Sequence, residues 1–382
     1  MKNYDIVIIG AGSVGLPLSY YLSKKGKKVA VIEKRHSYGR GENKAAIGGI
    51  RATHSDPAKI KIGKMSIDIV KGMEKEHGIE TDWITGGYLY PVYDEAKEKA
   101  LKSLLATQKE FGLNIDWIEP KKIKKLVPGI TEEGLRGGTY SPQDGSASPL
   151  KVAGAFYKLS VEAGTDFIFD EEVISIDTED DLITGIKTNK EEYQANVYIN
   201  AAGGNARELG ELCGLDLPVY PDSHEAGITE PVKPFFKPMV VDLRSDEQSS
   251  NFYYYQNYEG QMVFCVTPEP KIIGKDCDST SEFLPLAVRR LLAIHPRLKN
   301  IRVRKTWRGL YPMTPDGSPI VGWTDNVHNM FLAVGMCGQG FMLGPGLGKI
   351  ISEMLVDGTN DYDFILKQLS LYRAFEGNEL LK

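Results

Sequence analysis

The chain has 382 residues and a formal net charge of −5 at pH 7; 42% of the residues are hydrophobic and 25% are charged. These proportions are typical of a globular protein and exclude a largely disordered one. The length allows two domains. The 51 acidic residues outnumber the 46 basic ones, so the charge gives no reason to expect nucleic acid as a partner.

Cysteine spacing and apolar runs exclude further classes. The four cysteines are scattered without a C-x-x-C pair, which predicts free thiols: Cys213, Cys265, Cys277 and Cys337. Histidines and carboxylates show no metal-ligand spacing, so no metal is assigned. The first residues enter a strand without a signal-peptide pattern, and no run of about 18 apolar residues occurs. A cytoplasmic location without a membrane span is the simplest expectation.

The first 35 residues predict a strand, a glycine-rich turn, a helix and a second strand. Residues 5–9 form a continuous apolar run, 10–15 read Gly-Ala-Gly-Ser-Val-Gly, 16–25 have helical periodicity, and 28–32 form a second apolar run that Glu33 closes. A G-x-G-x-x-G pattern alone is weak, since it also occurs in ordinary glycine-rich loops. Here strand, glycines, helix, strand and acid follow in the order of a dinucleotide-binding unit.

Each residue of this pattern has a physical role in holding a dinucleotide. Gly10 allows the tight turn, Gly12 lets the backbone approach the pyrophosphate, and Gly15 lets the helix pack closely on the strand. The helix N-terminus faces the phosphates, and Glu33 accepts hydrogen bonds from the adenosine ribose. The basic, glycine-bearing stretch at 34–51 favours FAD over NAD because it is suited to wrapping a pyrophosphate. The alternatives are a solvated loop and an NAD-dependent dehydrogenase.

The remaining elements follow from periodicity. Helices are predicted at 56–77, 95–111, 149–163 and 344–357; strands at 86–92, 166–169, 172–176, 182–188, 196–204 and 330–335; and a β-rich, aromatic stretch at 217–313. This order indicates a nucleotide domain assembled from three segments and interleaved with a substrate domain.

Two further glycine turns follow apolar strands, at 199–204 and 334–342. Ligands of open α/β sheets bind at the carboxyl ends of the strands. A helix N-terminus there would stabilise the negative charge of a reduced flavin. Each turn alone is equally consistent with a small-residue loop; together with the first unit they favour a flavoprotein.

These motifs give the chain its resemblance to a known family. It resembles the D-amino-acid-oxidase-like (DAO) family of FAD-dependent amine and amino-acid oxidoreductases, most of all the β subunit of heteromeric sarcosine oxidase or dye-linked L-proline dehydrogenase. The segments that carry the resemblance are 10–33, 48–51, 140–145, 200–204, 306–317 and 335–342.

The resemblance implies an α/β fold: a Rossmann-like, glutathione-reductase-type FAD-binding domain with an inserted α+β substrate domain on a mostly antiparallel sheet. We expect the FAD-binding domain at 1–85, 145–215 and 322–382, and the substrate-binding domain at 86–144 and 216–321.

The motifs and the resemblance together predict the residues that bind the cofactor, which is expected to be non-covalent FAD. They are Gly10, Ala11, Gly12, Ser13, Val14, Gly15, Glu33, Lys34, Arg35, Arg40, Gly41, Asn43, Lys44, Ala45, Ala46, Gly48, Val173, Ala201, Ala202, Gly203, Gly338, Gln339, Gly340, Phe341 and Met342.

The resemblance also implies the chemistry. A small amino acid or N-alkyl amino acid of the proline, sarcosine or glycine class would pass its Cα hydride to flavin N5 and become an imine. Arg51 falls where sarcosine oxidases place a carboxylate-binding arginine; its alternative role is a structural salt bridge. Tyr254, Tyr255 and Tyr311 are candidates to line the substrate site, with ordinary packing as the alternative. No catalytic acid or base is assigned.

Departures from the family pattern bear on the electron acceptor. Tyr311 and Met342 stand where relatives place an arginine and a lysine that bind carboxylate, so Arg51 is expected to act alone. Phe264 falls near the position of an oxygen-activating lysine, which favours a dehydrogenase with another acceptor and a second subunit. No cysteine lies near Gly309, and no histidine lies at 43–46, to link the flavin covalently. A stand-alone oxidase producing hydrogen peroxide and a flavin electron-transfer subunit are the alternatives.

Overall fold

The computed structural model describes residues 2–377 and Leu381. Over these residues the strands are β1 (Lys2–Ile9), β2 (Val29–Glu33), β3 (Gly49–Ile50), β4 (Tyr88–Val92), β5 (Asp116–Ile118), β6 (Gly137–Ser141), β7 (Gly145–Ser146), β8 (Asp166–Phe169), β9 (Val173–Glu179), β10 (Leu182–Thr188), β11 (Glu192–Asn200), β12 (Tyr220–Pro231), β13 (Met239–Asp242), β14 (Ser249–Gln256), β15 (Gln261–Pro268), β16 (Val303–Met313), β17 (Ile320–Trp323) and β18 (Met330–Val334). The helices are α1 (Gly15–Lys24), α2 (Pro57–His77), α3 (Glu95–Glu110), α4 (Pro120–Leu126), α5 (Pro149–Glu162), α6 (Ala206–Glu211), α7 (Phe283–Ile294), α8 (Gly340–Asp357) and α9 (Asp363–Leu369).

The described residues divide into two compact units. The first unit takes 2–46, 149–221 and 311–377, and the second takes 47–148, 222–310 and Leu381. This division differs from the predicted boundaries mainly in two segments, and also at 145–148, 216–221 and Leu381. Residues 47–85 belong to the second unit, because β3 pairs with β7 there. Residues 311–321 belong to the first, where Cys337 donates its backbone N–H to Pro312.

The first unit is built on a mainly parallel sheet. Its strand order is β17-β18-β11-β1-β2-β8, and β10 joins β11 to β9 at one side. The central strands β1, β2, β11 and β18 run parallel, with Ile6 opposite Val29 and Ile9 opposite both Ile32 and Asn200. Buried apolar residues fill these strands, as a sheet covered on both faces requires. The predicted Rossmann-like fold class is confirmed.

The second unit is built on a mostly antiparallel sheet with the order β16-β12-β15-β14-β13-β4-β6-β5. Among the strand pairs of this sheet whose register is described, β13 and β4 are the only parallel pair. Side chains of a strand alternate between the two faces. One face carries a large apolar core that includes Leu89, Val240, Phe252 and Tyr254 and is covered by α7; we call it the core face.

The opposite face of the same sheet carries a second buried cluster, which we call the tyrosine face. It is formed by Tyr88, Tyr90, Met239, Tyr255 and Val263. Tyr253 and Trp307 are partly buried against it. The two faces therefore differ in composition: the tyrosine face is richer in polar-tipped aromatic side chains than the core face.

Helix α7 was missed by the sequence analysis, which predicted a β-rich stretch over 217–313. Phe283, Ala287, Leu291 and Ile294 recur at helical spacing and are all buried. The many aromatic and β-branched residues on either side of this helix hid that pattern within a β-rich segment. The signal itself was present in the sequence.

Helix α2 follows the candidate anchor Arg51 and has well-defined ends. Asp56 caps its N-terminus by accepting a hydrogen bond from the backbone N–H of Lys59 at 3.1 Å, and Pro57 occupies the first turn. Gly78 ends the helix with φ +66°, a left-handed conformation that favours glycine. These capping residues fix where α2 begins and ends, and therefore how it follows residues 51–54.

Candidate functional site

The N-terminal glycine turn is held by contacts between backbone atoms. A Cβ on Gly10 would overlap the carbonyl of Ala201, and a Cβ on Gly15 would overlap the carbonyl of Gly10. Gly10 also has φ +113°. In contrast, a Cβ on Gly12 would meet nothing within 4 Å. The turn is thus packed on one side and open at Gly12, the place where a bound pyrophosphate would approach the backbone.

The N-termini of helices α1 and α8 lie side by side. A Cβ on Gly344 would overlap the backbone carbonyl of Ser13, and one on Gly348 would lie 2.6 Å from the backbone nitrogen of Leu18. A Cβ on Gly340, the first residue of α8, would lie 2.9 Å from the Ser13 hydroxyl. Two positive helix ends therefore meet at one place, which favours the binding of an anion.

Glu33 ends β2 beside the glycine turn. Its carboxylate accepts hydrogen bonds from the backbone N–H of Ala11 at 3.0 Å and of Arg35 at 2.9 Å, and the residue is buried. The acid and the turn are thus adjacent, as the dinucleotide pattern requires.

The stretch after Glu33 folds back onto the turn, but its basic side chains point to solvent. The backbone N–H of Gly39 donates to Ala11 at 2.8 Å. Asn43 is buried and donates to the carbonyl of Pro149 at 3.2 Å. Lys34 forms an exposed ion pair with Glu172 at 3.1 Å, and Arg35, Arg40 and Lys44 are exposed.

Glu42 is a residue that the sequence analysis missed. Its carboxylate accepts a hydrogen bond from the backbone N–H of Gly204 at 3.3 Å, and a Cβ on Gly203 would lie 2.5 Å from it. Glu42 therefore links the basic stretch to the turn after β11. An acid inside a basic stretch was the available signal.

The late glycine turn is the second fixed element of the first unit. Gly338 has φ +78°, and a Cβ there would overlap the ring of Tyr311. The preceding Thr-Pro-Asp-Gly stretch is locked by Arg373, which donates to both oxygens of Asp316 at 2.7 and 3.0 Å. Burial alone would raise the pKa of Asp316, but the hydrogen bonds from Arg373 lower it below its usual value. Breaking such a buried pair costs about 3–5 kcal/mol.

The predicted cofactor-binding residues, apart from Gly48, all lie in the first unit. Val173 is buried at the start of β9, and Ala201, Ala202 and Gly203 are half-buried after β11. Gly48 belongs to the second unit, where its carbonyl accepts a hydrogen bond from Ala147. The turns around Gly12, Ala201 and Gly340 are brought together, whereas the part that each of these residues takes in cofactor binding stays a prediction.

Arg51 lies directly after β3 in the second unit and is only 5% exposed. Its guanidinium donates hydrogen bonds to the carbonyl oxygens of Thr53 and, at 2.9 Å, of Leu381. Its positive charge opposes the effect of burial, which raises the pKa of Tyr88 well above the usual value. A buried guanidinium beside phenolic side chains is suited to holding a carboxylate.

Asp144 fixes the backbone next to Arg51 and was given no role by the sequence analysis. Its carboxylate accepts hydrogen bonds from the backbone N–H of Ala52 at 3.0 Å and from the hydroxyl of Thr53 at 2.5 Å. Burial raises the pKa of Asp144 to about 6, although these hydrogen bonds and the charge of Arg51 act in the opposite direction. Asp144 thus fixes the backbone next to Arg51 from the turn between β6 and β7, which is remote in sequence.

The structure separates the two tyrosines predicted on β14. Tyr255 lies on the tyrosine face, and its hydroxyl donates to the carbonyl of Ile47. Tyr254 has no exposed surface, lies on the core face, and makes a 2.9 Å hydrogen bond with Nδ1 of His295. Neighbouring residues of a strand point to opposite faces, so Tyr254 and Tyr255 cannot line the same site from this sheet. The burial of Tyr254 favours the alternative of ordinary packing, and its part in substrate binding stays a prediction. The residue that shares the face of Tyr255 is Tyr253.

Phe264 lies on the same face of the sheet as Tyr254. Its side chain is buried on the core face, so it does not occupy a position above the tyrosine face. Val263, its neighbour in β15, lies on the tyrosine face opposite Tyr255. Cys265 pairs with Tyr253, and β15 contains no lysine in any of its eight residues.

Further residues of the tyrosine face were missed. A Cβ on Gly49 would overlap the hydroxyl of Tyr88 and lie 2.8 Å from the Met239 methyl. Gly49 therefore brings the strand that leads into Arg51 against Tyr88 and Met239. The signal in the sequence was the glycine pair at 48–49, of which Gly48 alone was predicted to bind the cofactor and Gly49 was given no role.

The comparison with known families identifies the class of protein. The sequence matches the DAO family, described as FAD dependent oxidoreductase, over residues 5–354. The chain therefore belongs to this family and is an FAD-dependent oxidoreductase, and the resemblance stated from the sequence is confirmed.

Particular relatives are similar over nearly the whole chain. The chain is 25% identical to the sarcosine oxidase subunit beta of Rhodobacter capsulatus, covering 98% of this chain and 90% of that protein. It is 30% identical to the L-proline dehydrogenase of P. horikoshii, with a TM-score of 0.91, covering 97% of this chain and 98% of that one. Glycine oxidase from Geobacillus kaustophilus, at 22% identity and a TM-score of 0.86 over 98% of this chain and 100% of that one, shares the fold.

The described residues contain neither a membrane-spanning helix nor a group of side chains suited to a metal ion. No helix in this part of the chain is long and apolar enough to cross a lipid bilayer. No group of three or more histidine, cysteine, aspartate or glutamate side chains among residues 2–377 and Leu381 is placed to hold a metal ion. The four cysteines are free thiols, as predicted.

Proposed function

We propose that the protein oxidises a small amino acid or N-alkyl amino acid of the proline, sarcosine or glycine class. When bound, FAD supplies the redox chemistry by accepting the hydride of the substrate Cα–H at N5, which leaves an imine that water hydrolyses. The observation that carries the proposal is the buried guanidinium of Arg51 beside an aromatic cluster. The names of two relatives, sarcosine oxidase subunit beta and L-proline dehydrogenase, support the substrate class.

The residues of the first unit would hold FAD. The backbone at Gly12 and the paired N-termini of α1 and α8 would receive the pyrophosphate, and Glu33 would bind the adenosine ribose. We propose non-covalent binding, since no histidine occurs at 43–46 and His54 is fully buried in the second unit. Acid treatment should then release all of the flavin into solution.

The residues of the second unit would hold the substrate. Arg51 would bind the carboxylate, and Asp144 would keep the backbone at Ala52 and Thr53 in place so that the guanidinium has one orientation. Tyr255, Tyr253 and Tyr88 would limit the size of the side chain. Tyr311 belongs to the first unit by its contact with Gly338, and its part in substrate binding stays a prediction.

We further propose that the electrons pass to an acceptor other than oxygen and that a second subunit takes part. The lack of any lysine in β15 supports the first point, because a positive charge near a reduced flavin would favour its reaction with oxygen. The name of the sarcosine oxidase subunit beta supports the second, since that relative is part of a larger assembly.

The experiment is anaerobic reduction of the flavin, followed by its visible absorbance. L-Proline, sarcosine, glycine, D-amino acids and 2-hydroxy acids are added separately, and a dye or air is then admitted. Bleaching by an amino acid, with fast reoxidation by the dye and slow reoxidation by air, supports the proposal. Bleaching only by a hydroxy acid contradicts the substrate class. Fast reoxidation by air supports a peroxide-forming oxidase instead.

A further inference from the structure

The guanidinium of Arg51 is in contact with a residue from the far end of the sequence. Leu381 accepts a hydrogen bond from Nη2 of Arg51 at 2.9 Å through its backbone carbonyl oxygen, across a separation of 330 residues. A carbonyl oxygen and a carboxylate oxygen are acceptors of the same geometry toward an arginine N–H. Leu381 therefore occupies one acceptor position around the group that we propose as the carboxylate anchor.

The side chain of Leu381 adds to this contact. It is 3% exposed and belongs to the cluster of the tyrosine face with Tyr88, Met239 and Tyr255. Burial among aromatic side chains stabilises a leucine relative to a solvated one. A carboxylate with a small apolar body, such as proline, presents the same two features as Leu381: an oxygen acceptor and an aliphatic group.

Access to Arg51 requires that something move, because the residue is 5% exposed. Another acceptor, the carbonyl of Thr53, is two residues away on a backbone that Asp144 fixes with two hydrogen bonds. Leu381 is 330 residues away in the sequence, so its displacement would leave the backbone at 51–53 in place. We therefore take Leu381 as the acceptor that an incoming carboxylate replaces.

We propose that Leu381 is an intramolecular competitor of the substrate carboxylate, binding the Arg51 guanidinium through its carbonyl and the tyrosine face through its side chain. This inference rests on the proposed function of Arg51. Substrate binding then requires displacement of Leu381, so the apparent affinity for a carboxylate is reduced by the fraction of molecules in which Leu381 is in place. A partner that holds this part of the chain elsewhere would activate the enzyme.

The first test measures binding without turnover. 2-Furoate, a small carboxylate with no amine to oxidise, is titrated by calorimetry into the FAD-loaded protein, into a chain that ends at Gly377, and into Arg51→Lys versions of both. We expect the shortened chain to bind 2-furoate about tenfold more tightly. We expect Arg51→Lys to weaken binding in both backgrounds.

The outcomes separate the two claims. Equal or weaker binding by the shortened chain, with a clear loss in Arg51→Lys, overturns the inference on Leu381 and leaves the anchor intact. No effect of Arg51→Lys in either background overturns the anchor, and with it this inference. A purely structural role for Leu381 would lower the melting temperature of the shortened chain without raising its affinity.

A second test keeps the chain length and follows Leu381 itself. In Leu381→Cys, the rate of thiol modification at position 381 is measured by mass spectrometry of the peptide that contains it. We expect 2-furoate to accelerate modification several-fold, because the ligand releases the residue. An unchanged or slower rate overturns the proposal, whatever the stability of the shortened chain.

Discussion

The candidate cofactor site and the candidate substrate site are built from different kinds of contact. In the first unit, Gly10, Gly15 and Gly344 bring backbone atoms together so closely that a Cβ would overlap a carbonyl group. In the second unit, the site is a set of side chains on one sheet face, with Arg51 and Tyr255 hydrogen-bonded to backbone carbonyls. The first site is defined by the path of the main chain, and the second by the direction of side chains.

This difference teaches which changes each site tolerates. A backbone contact leaves no room for a methyl group, so the first site should be sensitive to the smallest substitutions. A side-chain site depends on which face of the sheet a residue occupies, so two neighbouring residues of one strand should have unrelated effects. The following predictions test this contrast, starting from the largest expected effect.

Gly344→Ala should destabilise the apoprotein by about 3 kcal/mol, because the new methyl group would overlap the carbonyl of Ser13 and force α1 and α8 apart. Gly12→Ala is the matched variant, since its methyl group meets no protein atom within 4 Å. It should leave apoprotein stability within about 0.5 kcal/mol but weaken FAD binding at least about tenfold. Urea unfolding and FAD titration measure the two effects. Equal losses of stability in the two variants would contradict the finding that the turn is open at Gly12.

Gly63→Ala in α2 tests a backbone contact of this kind in the second unit, beside the proposed anchor Arg51. Its methyl group would lie 2.5 Å from the carbonyl oxygen of Arg51 and 2.9 Å from the Cα of Ala52. We expect a loss of about 1–3 kcal/mol in stability and a raised KM, because Arg51 would shift. Gly72→Ala in the same helix meets only the flexible side chain of Glu76 and should stabilise by about 0.5–1 kcal/mol. An unchanged KM in Gly63→Ala would show that α2 does not position the anchor.

Tyr254→Phe and Tyr255→Phe test the two faces of β14. Each variant removes one buried hydroxyl that is hydrogen-bonded, to His295 in the first case and to Ile47 in the second. Each should therefore cost about 1 kcal/mol in stability. Only Tyr255→Phe should change KM or substrate preference, measured by steady-state kinetics with the dye acceptor. If only Tyr254→Phe changed KM, the core face and not the tyrosine face would be the one that contacts the substrate.

The last prediction is a pair of opposite pH dependences of stability. Burial raises the pKa of Asp144 from 3.8 to about 6, so the stability it contributes is complete at low pH and is lost as pH rises through about 6. Burial lowers the pKa of His295 from 6.5 to about 4, so its contribution is present above pH 6.5 and is lost as pH falls through about 4. The stability difference between wild type and Asp144→Asn should decrease with rising pH, and that between wild type and His295→Gln should increase. Apoprotein unfolding in urea across this range checks both signs.

The same contrast explains what the sequence could predict. The unit from Gly10 to Glu33 was predictable because strand, turn, helix and acid lie within a short stretch and each glycine has a geometric role. The register of β14 was not, because nothing local decides whether Tyr254 or Tyr255 lies on the tyrosine face. The contact between Arg51 and Leu381 could not be predicted, because 330 residues separate them in the sequence. Helix α7 was predictable from the helical spacing of Phe283, Ala287, Leu291 and Ile294, which the β-rich composition on either side obscured.

The central claim is that Arg51 holds the substrate carboxylate, and it is tested most directly by pairing two enzymes with two substrates. The kcat/KM of wild type and Arg51→Gln is measured for the amino acid that reduces the flavin and for its primary amide. We predict that wild type prefers the amino acid by about 30-fold or more and that this preference is lost in Arg51→Gln, because the variant removes the charge that distinguishes carboxylate from amide. An equal preference in both enzymes would contradict the account and place the carboxylate elsewhere.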